Sequence, residues 1–337
     1  MKTYNVAVVG ATGAVGRTML KILEERSFPV KNILPLASAR SAGQKIEFRG
    51  KAYEVEEAKP SAFEGIDIAL FSAGKDVSLE LAPEAVKRGA VVVDNSNAFR
   101  MEPEVPLVVP EVNPQDLKKH RGLIANPNCS TIQMVMVLKP IHDRARVKRV
   151  VVSTYQAVSG TGLEAVEELK LQSQQVILGL ETTLRVYPHR IAFNLLPHID
   201  VFDDTGYSLE EWKMVRETKK IMGDESIQVT ATTVRVPVFN CHSESVNVET
   251  WEKIAPEEAR QILSKAPGVV VMDDPKNTIY PMPAYLSGRD EVFVGRIRED
   301  FTVPCGLNLW IVADNLRRGA AYNAVRICES LVEYNLV

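Results

Sequence analysis

Residues 5–16 read NVAVVGATGAVG. A short β-rich run enters a loop containing Gly10, Gly13 and Gly16, and a helix-like pattern follows over 15–25. Glycine allows a tight turn and lets backbone N–H groups approach a pyrophosphate at a helix N-terminus. The GxxGxxG spacing departs from the commoner GxGxxG, so the glycines alone say little. Their place between strand and helix, at the head of an α/β alternation, points to a dinucleotide site. Thr12, Ala14 and Val15 complete the loop and are candidate cofactor contacts with the three glycines.

The alternation continues outward from this loop. Strand patterns at 5–9, 33–37, 68–71, 91–94, 107–109 and 123–125 enclose helical spacing at 15–25 and 77–88. This predicts an α/β fold with a Rossmann-type parallel sheet. Beyond about residue 128 the strand patterns lengthen and alternate, at 150–155, 227–235, 245–249, 292–298 and 307–312, with helices at 162–178 and 209–222. That reads as a second α+β domain, its sheet mixed or antiparallel and covered by helices on one side. The stretch 315–334 is helical, with Leu316, Ala320, Ala324, Ile327 and Leu331 on one face, and can pack back on the first domain. The expected division is 1–127 plus 315–337 for cofactor binding, and 128–314 for catalysis and dimerisation.

Composition narrows the function. The 337 residues carry 40 Lys and Arg against 43 Asp and Glu, a net charge of −3, which gives no reason to expect nucleic acid or an anionic membrane. No apolar run approaches the roughly 20 residues that cross a bilayer. Glycines break the N-terminal apolar run and Arg17 soon follows, which argues against a signal peptide. Cys129, Cys241, Cys305 and Cys328 form no CxxC pair, so neither a zinc site nor a disulfide framework is expected. Reduced thiols fit a cytoplasmic protein.

The second strand bears on the dinucleotide. An NAD site usually has an acid about 20 residues past the loop, on the ribose hydroxyl. Here PLASARSAG offers Ser38, Arg40 and Ser41 and no acid. A guanidinium and hydroxyls suit a 2′-phosphate, so NADP is expected. Ser72, Ala73 and Gly74, in FSAGKDVS after another strand, are candidates to line the same crevice.

Cys129 follows Asn-Pro-Asn and precedes an apolar run, NPNCSTIQMVMVLKP. If that run is a helix, its dipole favours a thiolate at its first residue; a buried strand fits the pattern as well. Pro140 should end either element early. A reactive thiol needs a base, and spacing cannot choose among His120, His142, His189, His198 and His242. His242 lies in a strand-loop-strand pattern seven residues after Arg235, with His189 and His198 as competitors. A thiol nucleophile beside a nicotinamide cofactor points to an acyl-transferring aldehyde dehydrogenase.

GATGAVG, VVDNSNAFR, PNCST, YQAVSGTG, RVPVFNCHSESV and ADNLRRGAA together resemble the aspartate-semialdehyde dehydrogenase family in its bacterial form. The resemblance runs from Val6 to the terminal helix. It implies reductive dephosphorylation of L-4-aspartyl phosphate to L-aspartate 4-semialdehyde with NADP(H), on the route to lysine, threonine, methionine and diaminopimelate. It implies Cys129 as the nucleophile, His242 as general acid/base and Gln156 as the residue orienting the thioester. It implies Arg235 on the substrate carboxylate, Glu210 on the ammonium, and Arg100, Lys213 and Asn128 on phosphate. Ser159, Gly160 and Asn315 are implied near the nicotinamide. Glu211 stands beside Glu210 and is easily confused with it. Cys241, Cys305 and Cys328 read as packing residues. The resemblance also implies a homodimer or a tetramer. The alternatives are an N-acetyl-γ-glutamyl-phosphate reductase, which shares the thiol and acyl-phosphate logic, and a non-catalytic NADP-binding homologue.

Overall fold

In the computed structural model, which describes residues 2–337, the opening strand β1 (Tyr4–Val9) is central to a parallel sheet. It is followed by α1 (Ala14–Glu25), β2 (Val30–Ala37), a hairpin of β3 (Lys45–Phe48) and β4 (Lys51–Glu54), and the short β5 (Glu56–Glu57). Then come β6 (Ile68–Phe71), α2 (Lys75–Lys87), β7 (Val91–Asp94) and β8 (Leu123–Ala125). The six-stranded order is β5-β2-β1-β6-β7-β8, parallel throughout. Val6 to Val9 are fully buried because both faces are covered. Val6 and Val8 join Met19 and Leu23 of α1 with Ala324, Ile327 and Leu331 of the C-terminal helix Tyr322–Glu333. Ala7 and Val9 point the other way, toward Leu81 and Ala85 of α2. Each large apolar side chain buried in these layers contributes about 1.5–3 kcal/mol. These residues form one unit, extending to Asn128 and resuming over Ala320–Val337.

One sequence expectation changes here. The run 107–109 is not a strand; Leu107 makes only an isolated bridge to Ala125. Pro106 and Pro110 bracket it, and neither has an N–H to extend a ladder. The β3–β4 hairpin, short and polar, carried no clear strand signal.

The second unit, Cys129–Gly319, opens with α3 (Cys129–Ala145) and β9 (Val147–Gln156). It continues with α4 (Leu163–Ile177), α5 (Leu209–Met222), β10 (Gln228–Arg235), β11 (His242–Thr250), α6 (Pro256–Leu263), β12 (Val269–Val271), α7 (Pro283–Leu286), β13 (Val292–Asp300) and β14 (Gly306–Ala313). The sheet order is β10-β9-β11-β14-β13-β12, with the outer pairs parallel and the inner pairs antiparallel. Burial alternates along β11: Val246 and Val248 are buried, while Ser245 and Asn247 lie on the other, more open face. The run after Cys129 is a helix, and it continues past Pro140 instead of ending there. Proline removes one backbone hydrogen bond, and burial of Leu138 and Ile141 on either side holds the helix through it.

Candidate active site

In the first unit, the ends of β1, β2 and β6 lie on one edge of the sheet, and β1 is flanked by strands reached in opposite directions. That is the topological switch point where α/β sheets bind ligands. Gly10 has φ +83°, and a Cβ there would stand 2.7 Å from the Ser72 carbonyl oxygen. A Cβ on Gly16 would collide with the Gly10 carbonyl oxygen. Both glycines are therefore required by close approach, whereas Gly13 has ordinary room. The Gly10 and Ala11 N–H groups donate to Leu36 O, at 2.8 and 3.0 Å. Helix α1 starts without a side-chain cap. Its first-turn N–H groups, on Ala14, Val15 and Gly16, have no intrahelical acceptor and fit a phosphate. Ser38 and Arg40 are exposed on the turn that follows β2, with Ser41 half-buried. Ser72 and Ala73 follow β6, and Gly74 precedes α2 with φ +90°. Arg100 and Asn128 also belong to this unit; Arg100 is buried and its Nη2 donates to Asn95 O at 2.9 Å.

In the second unit the register of the sheet assembles the polar residues. Arg235 ends β10 directly beside Gln156, which ends β9. Strand β11 runs antiparallel to β9 and pairs Ser243 with Tyr155, so His242 arrives at the same edge. Gln156 Nε2 donates to Glu210 Oε1 at 3.1 Å, and Lys213 Nζ reaches Glu210 Oε2 at 3.2 Å and Asp200 Oδ2 at 2.8 Å. Burial draws the Lys213 pKa down, but Glu210 and Asp200 outweigh it and the net shift is upward. Glu211 is occupied elsewhere: it closes a capping box with Ser208 and accepts from Thr233 N at 2.9 Å. The two adjacent glutamates thus have different partners, Glu210 on Gln156 and Lys213, and Glu211 on Ser208 and Thr233.

Arg235 and His242 are both buried. Arg235 Nη1 donates to Ala157 O at 2.7 Å, its Nε has no partner, and no carboxylate pairs with it among the described residues. A buried guanidinium without a counter-charge is costly, and an anionic ligand would supply one. The Ala157 N–H donates to His242 Nδ1 at 3.0 Å, and His242 Nε2 is buried without a partner. Burial, then the Arg235 charge, hold the imidazole well below its usual pKa. Gly160 lies against both: a Cβ on it would stand 2.9 Å from Arg235 Nη1 and 3.2 Å from His242 Nε2. His189 and His198 are exposed and do not enter this group.

Cys129 is the first residue of α3 and half-buried. One turn along the helix, Gln133 Nε2 donates to the His242 carbonyl at 3.4 Å. Asn315 ties the neighbouring loops: its Oδ1 accepts from Cys241 N at 2.9 Å, and its Nδ2 donates to Ser159 Oγ at 2.9 Å. Cys241 is buried in an apolar cluster with Leu286, Phe293 and Val312, and Cys328 lies in the first unit's core. Ala157, Gln133 and Asp200 hydrogen-bond to the residues above and Gly319 packs against Cys129; none of the four was singled out from sequence. Ala157 and Gly319 stand inside the quoted runs YQAVSGTG and ADNLRRGAA, which was the one signal available.

Residues 5–120 match the profile of the semialdehyde dehydrogenase NAD binding domain, and residues 138–318 that of the semialdehyde dehydrogenase dimerisation domain. The chain is 60% identical to an aspartate-semialdehyde dehydrogenase of Aquifex aeolicus, over 99% of each chain. A solved structure of aspartate semialdehyde dehydrogenase II complexed with ASA from Vibrio cholerae superposes with TM-score 0.96 at 46% identity, covering 99% of both chains. A structure of aspartate semialdehyde dehydrogenase with NADP from Candida albicans superposes with TM-score 0.79 at 26% identity, over the full length of both.

Proposed function

This chain belongs to the aspartate-semialdehyde dehydrogenase family, and from that premise we propose how its residues interconvert L-4-aspartyl phosphate and L-aspartate 4-semialdehyde. The observation that carries the reading is the buried Arg235 without a counter-charge, beside Gln156 and across β9 from His242. A substrate carboxylate supplies the missing anion in bidentate geometry. Glu210 receives the substrate ammonium, while Gln156, already hydrogen-bonded to Glu210, orients the acyl group. Cys129, at the helix N-terminus where the dipole favours an anion, attacks the acyl carbon and forms a thioester. Arg100, Lys213 and Asn128 hold the leaving phosphate.

A nicotinamide cofactor supplies the hydride that reduces the thioester. The crowded Gly10 and Gly16 and the uncapped start of α1 fit its pyrophosphate, with Thr12, Gly13, Ala14 and Val15 along the same turn and Ser72 to Gly74 beside it. We assign NADP because Ser38, Arg40 and Ser41 stand where an NAD site usually places an acid. Ser159, Gly160 and Asn315 line the nicotinamide end. No helix among the described residues is long and apolar enough to cross a membrane. We place the enzyme in the cytoplasm as a homodimer; sedimentation at micromolar concentration separates dimer from tetramer.

The test is Cys129→Ala. Turnover disappears while NADPH still binds, and phosphate-dependent NADP⁺ reduction by the parent enzyme is specific for aspartate semialdehyde over its N-acetylglutamate counterpart. Appreciable activity in Cys129→Ala would end the covalent scheme.

A further inference from the structure

Arg100 stands on a loop without helix or strand, residues 95–100, that is nevertheless tied down from several sides. The loop follows β7, whose last residue, Asp94, is fully buried. Asp94 Oδ1 accepts from Ser96 N at 3.1 Å and from Ser78 Oγ of α2 at 2.7 Å, and its Oδ2 accepts from Ser96 Oγ at 2.7 Å. Each of these contacts comes from a donor, so the carboxylate is met as an acceptor throughout. Ser96 Oγ accepts in turn from Ala98 N at 3.1 Å. Two successive turns capped by side chains therefore shape residues 94–98, the first on an aspartate and the second on a serine. Asn95, between them, is held at three points. Its N–H donates to Phe71 O at 2.9 Å, its Oδ1 accepts from Asn126 Nδ2 at 2.6 Å, and its carbonyl accepts from Arg100 Nη2 at 2.9 Å. Asn126 is itself fixed by Asn323 of the C-terminal helix, at 2.7 Å. Packing alone does not call for such a network. Only Ala98 and Phe99 of this loop are apolar, and both are half-buried. The polar contacts converge instead on a guanidinium.

We propose that Asp94 is a positioning residue of the phosphate site: its carboxylate sets the turns over 94–98 so that the Asn95 carbonyl holds the Arg100 guanidinium in the orientation phosphate requires. The proposal rests on the reading of Arg100 as a phosphate contact, and Asp94 itself touches neither substrate nor cofactor. The requirement is geometric. A planar guanidinium meets two phosphate oxygens at once only when its fork is correctly turned, and a long side chain loses rotamer freedom in reaching that orientation. Arg100 gives up that freedom before the anion arrives, because one of its N–H groups is already set on a carbonyl that the interior holds in place. Phosphate leaves the acyl carbon in one direction of the reaction and attacks it in the other. The same preorganised guanidinium therefore serves both directions.

The test reads phosphate separately from cofactor, in phosphate-dependent NADP⁺ reduction with L-aspartate 4-semialdehyde. Asp94→Ala should raise the KM for phosphate by about 10-fold or more and leave that for NADP⁺ within about 2-fold. Asp94→Asn, which keeps an acceptor for Ser78 Oγ and Ser96 N, should recover most of the loss. Arg100→Gln should raise the phosphate KM by itself. Adding Asp94→Ala to it should change that value by less than about 2-fold, because both changes act through one guanidinium. Ser96→Ala removes the second cap and one contact to Asp94, and should raise the phosphate KM by about 3-fold or more; it reads the proposal if Asp94→Ala does not fold. An unchanged phosphate KM in the folded variant, equal rises for phosphate and NADP⁺, or additive losses in the double variant would overturn the proposal while Arg100 keeps its role. If Arg100→Gln itself leaves the phosphate KM unchanged, the reading of Arg100 as a phosphate contact fails, and the proposal with it.

Discussion

A methyl group added to Gly319 would stand 2.7 Å from Cβ of Cys129 and 3.2 Å from its Cα. The chain returns, 190 positions later, to press bare backbone against Cys129. Gly319→Ala must push the first turn of α3 aside. It should lower kcat by about 10- to 100-fold, as expected for a displacement approaching 1 Å, and cost about 1–3 kcal/mol of stability. Steady-state kinetics and urea unfolding check both; full activity would mean that Cys129 has slack.

Cys241, beside His242, has φ +72°, in the left-handed region that costs a residue with a Cβ about 1–2 kcal/mol. Asn315 Oδ1, accepting from its N–H, holds the chain there. Cys241→Gly relieves the strain and loses the buried sulfur, whereas Cys241→Ala loses the sulfur and keeps the strain. The glycine variant should therefore be the more stable of the two, against the usual order. Thermal unfolding of both variants decides this.

Glu244 is buried with no ion pair among the described residues, and its pKa is raised by burial. A carboxyl with a raised folded-state pKa binds more protons folded than unfolded. Its stabilising contribution is complete below the unfolded value of about 4.3 and is lost as pH rises toward the folded value. Glu244→Gln should therefore gain stability over the parent at pH 8 and lose that advantage near pH 4. Urea titrations at the two pH values read the difference; a gain at pH 4 alone would have the wrong sign.

Arg40 is exposed on the turn after β2. Arg40→Asp should weaken NADPH far more than NADH, by about 10-fold or more, because it exchanges a guanidinium for a group that repels a 2′-phosphate. Fluorescence titration with both cofactors checks it, and equal losses would remove Arg40 from the cofactor site.

Much of the fold was legible because burial imposes its period on the sequence. Strands 68–71, 91–94 and 123–125 and helix 209–222 stand in the structure at those bounds. Residues 107–109 misled because a buried apolar run looks the same with or without a ladder, and only the flanking prolines distinguish them. The ends of helix 15–25 needed no correction beyond one residue. The site was legible where chemistry is rare: a thiol at a helix start, a glycine loop between strand and helix. The histidine was not selectable by spacing, since register across β9, β10 and β11 brings His242 to Gln156 and Arg235, and register is a property of the folded sheet. Ala157 and Gly319 act through backbone and through the absence of a side chain, so their motifs could be quoted while nothing in the residues themselves marked what they do.

The central claim is that Cys129 carries the acyl group. Enzyme mixed with L-aspartate 4-semialdehyde and NADP⁺ in the absence of phosphate should release one equivalent of NADPH per active site in a burst and then stall. Peptide mass spectrometry of the quenched protein should find the aspartyl adduct on Cys129. A burst without that adduct, an adduct on another residue, or a burst undiminished in Cys129→Ala would contradict it.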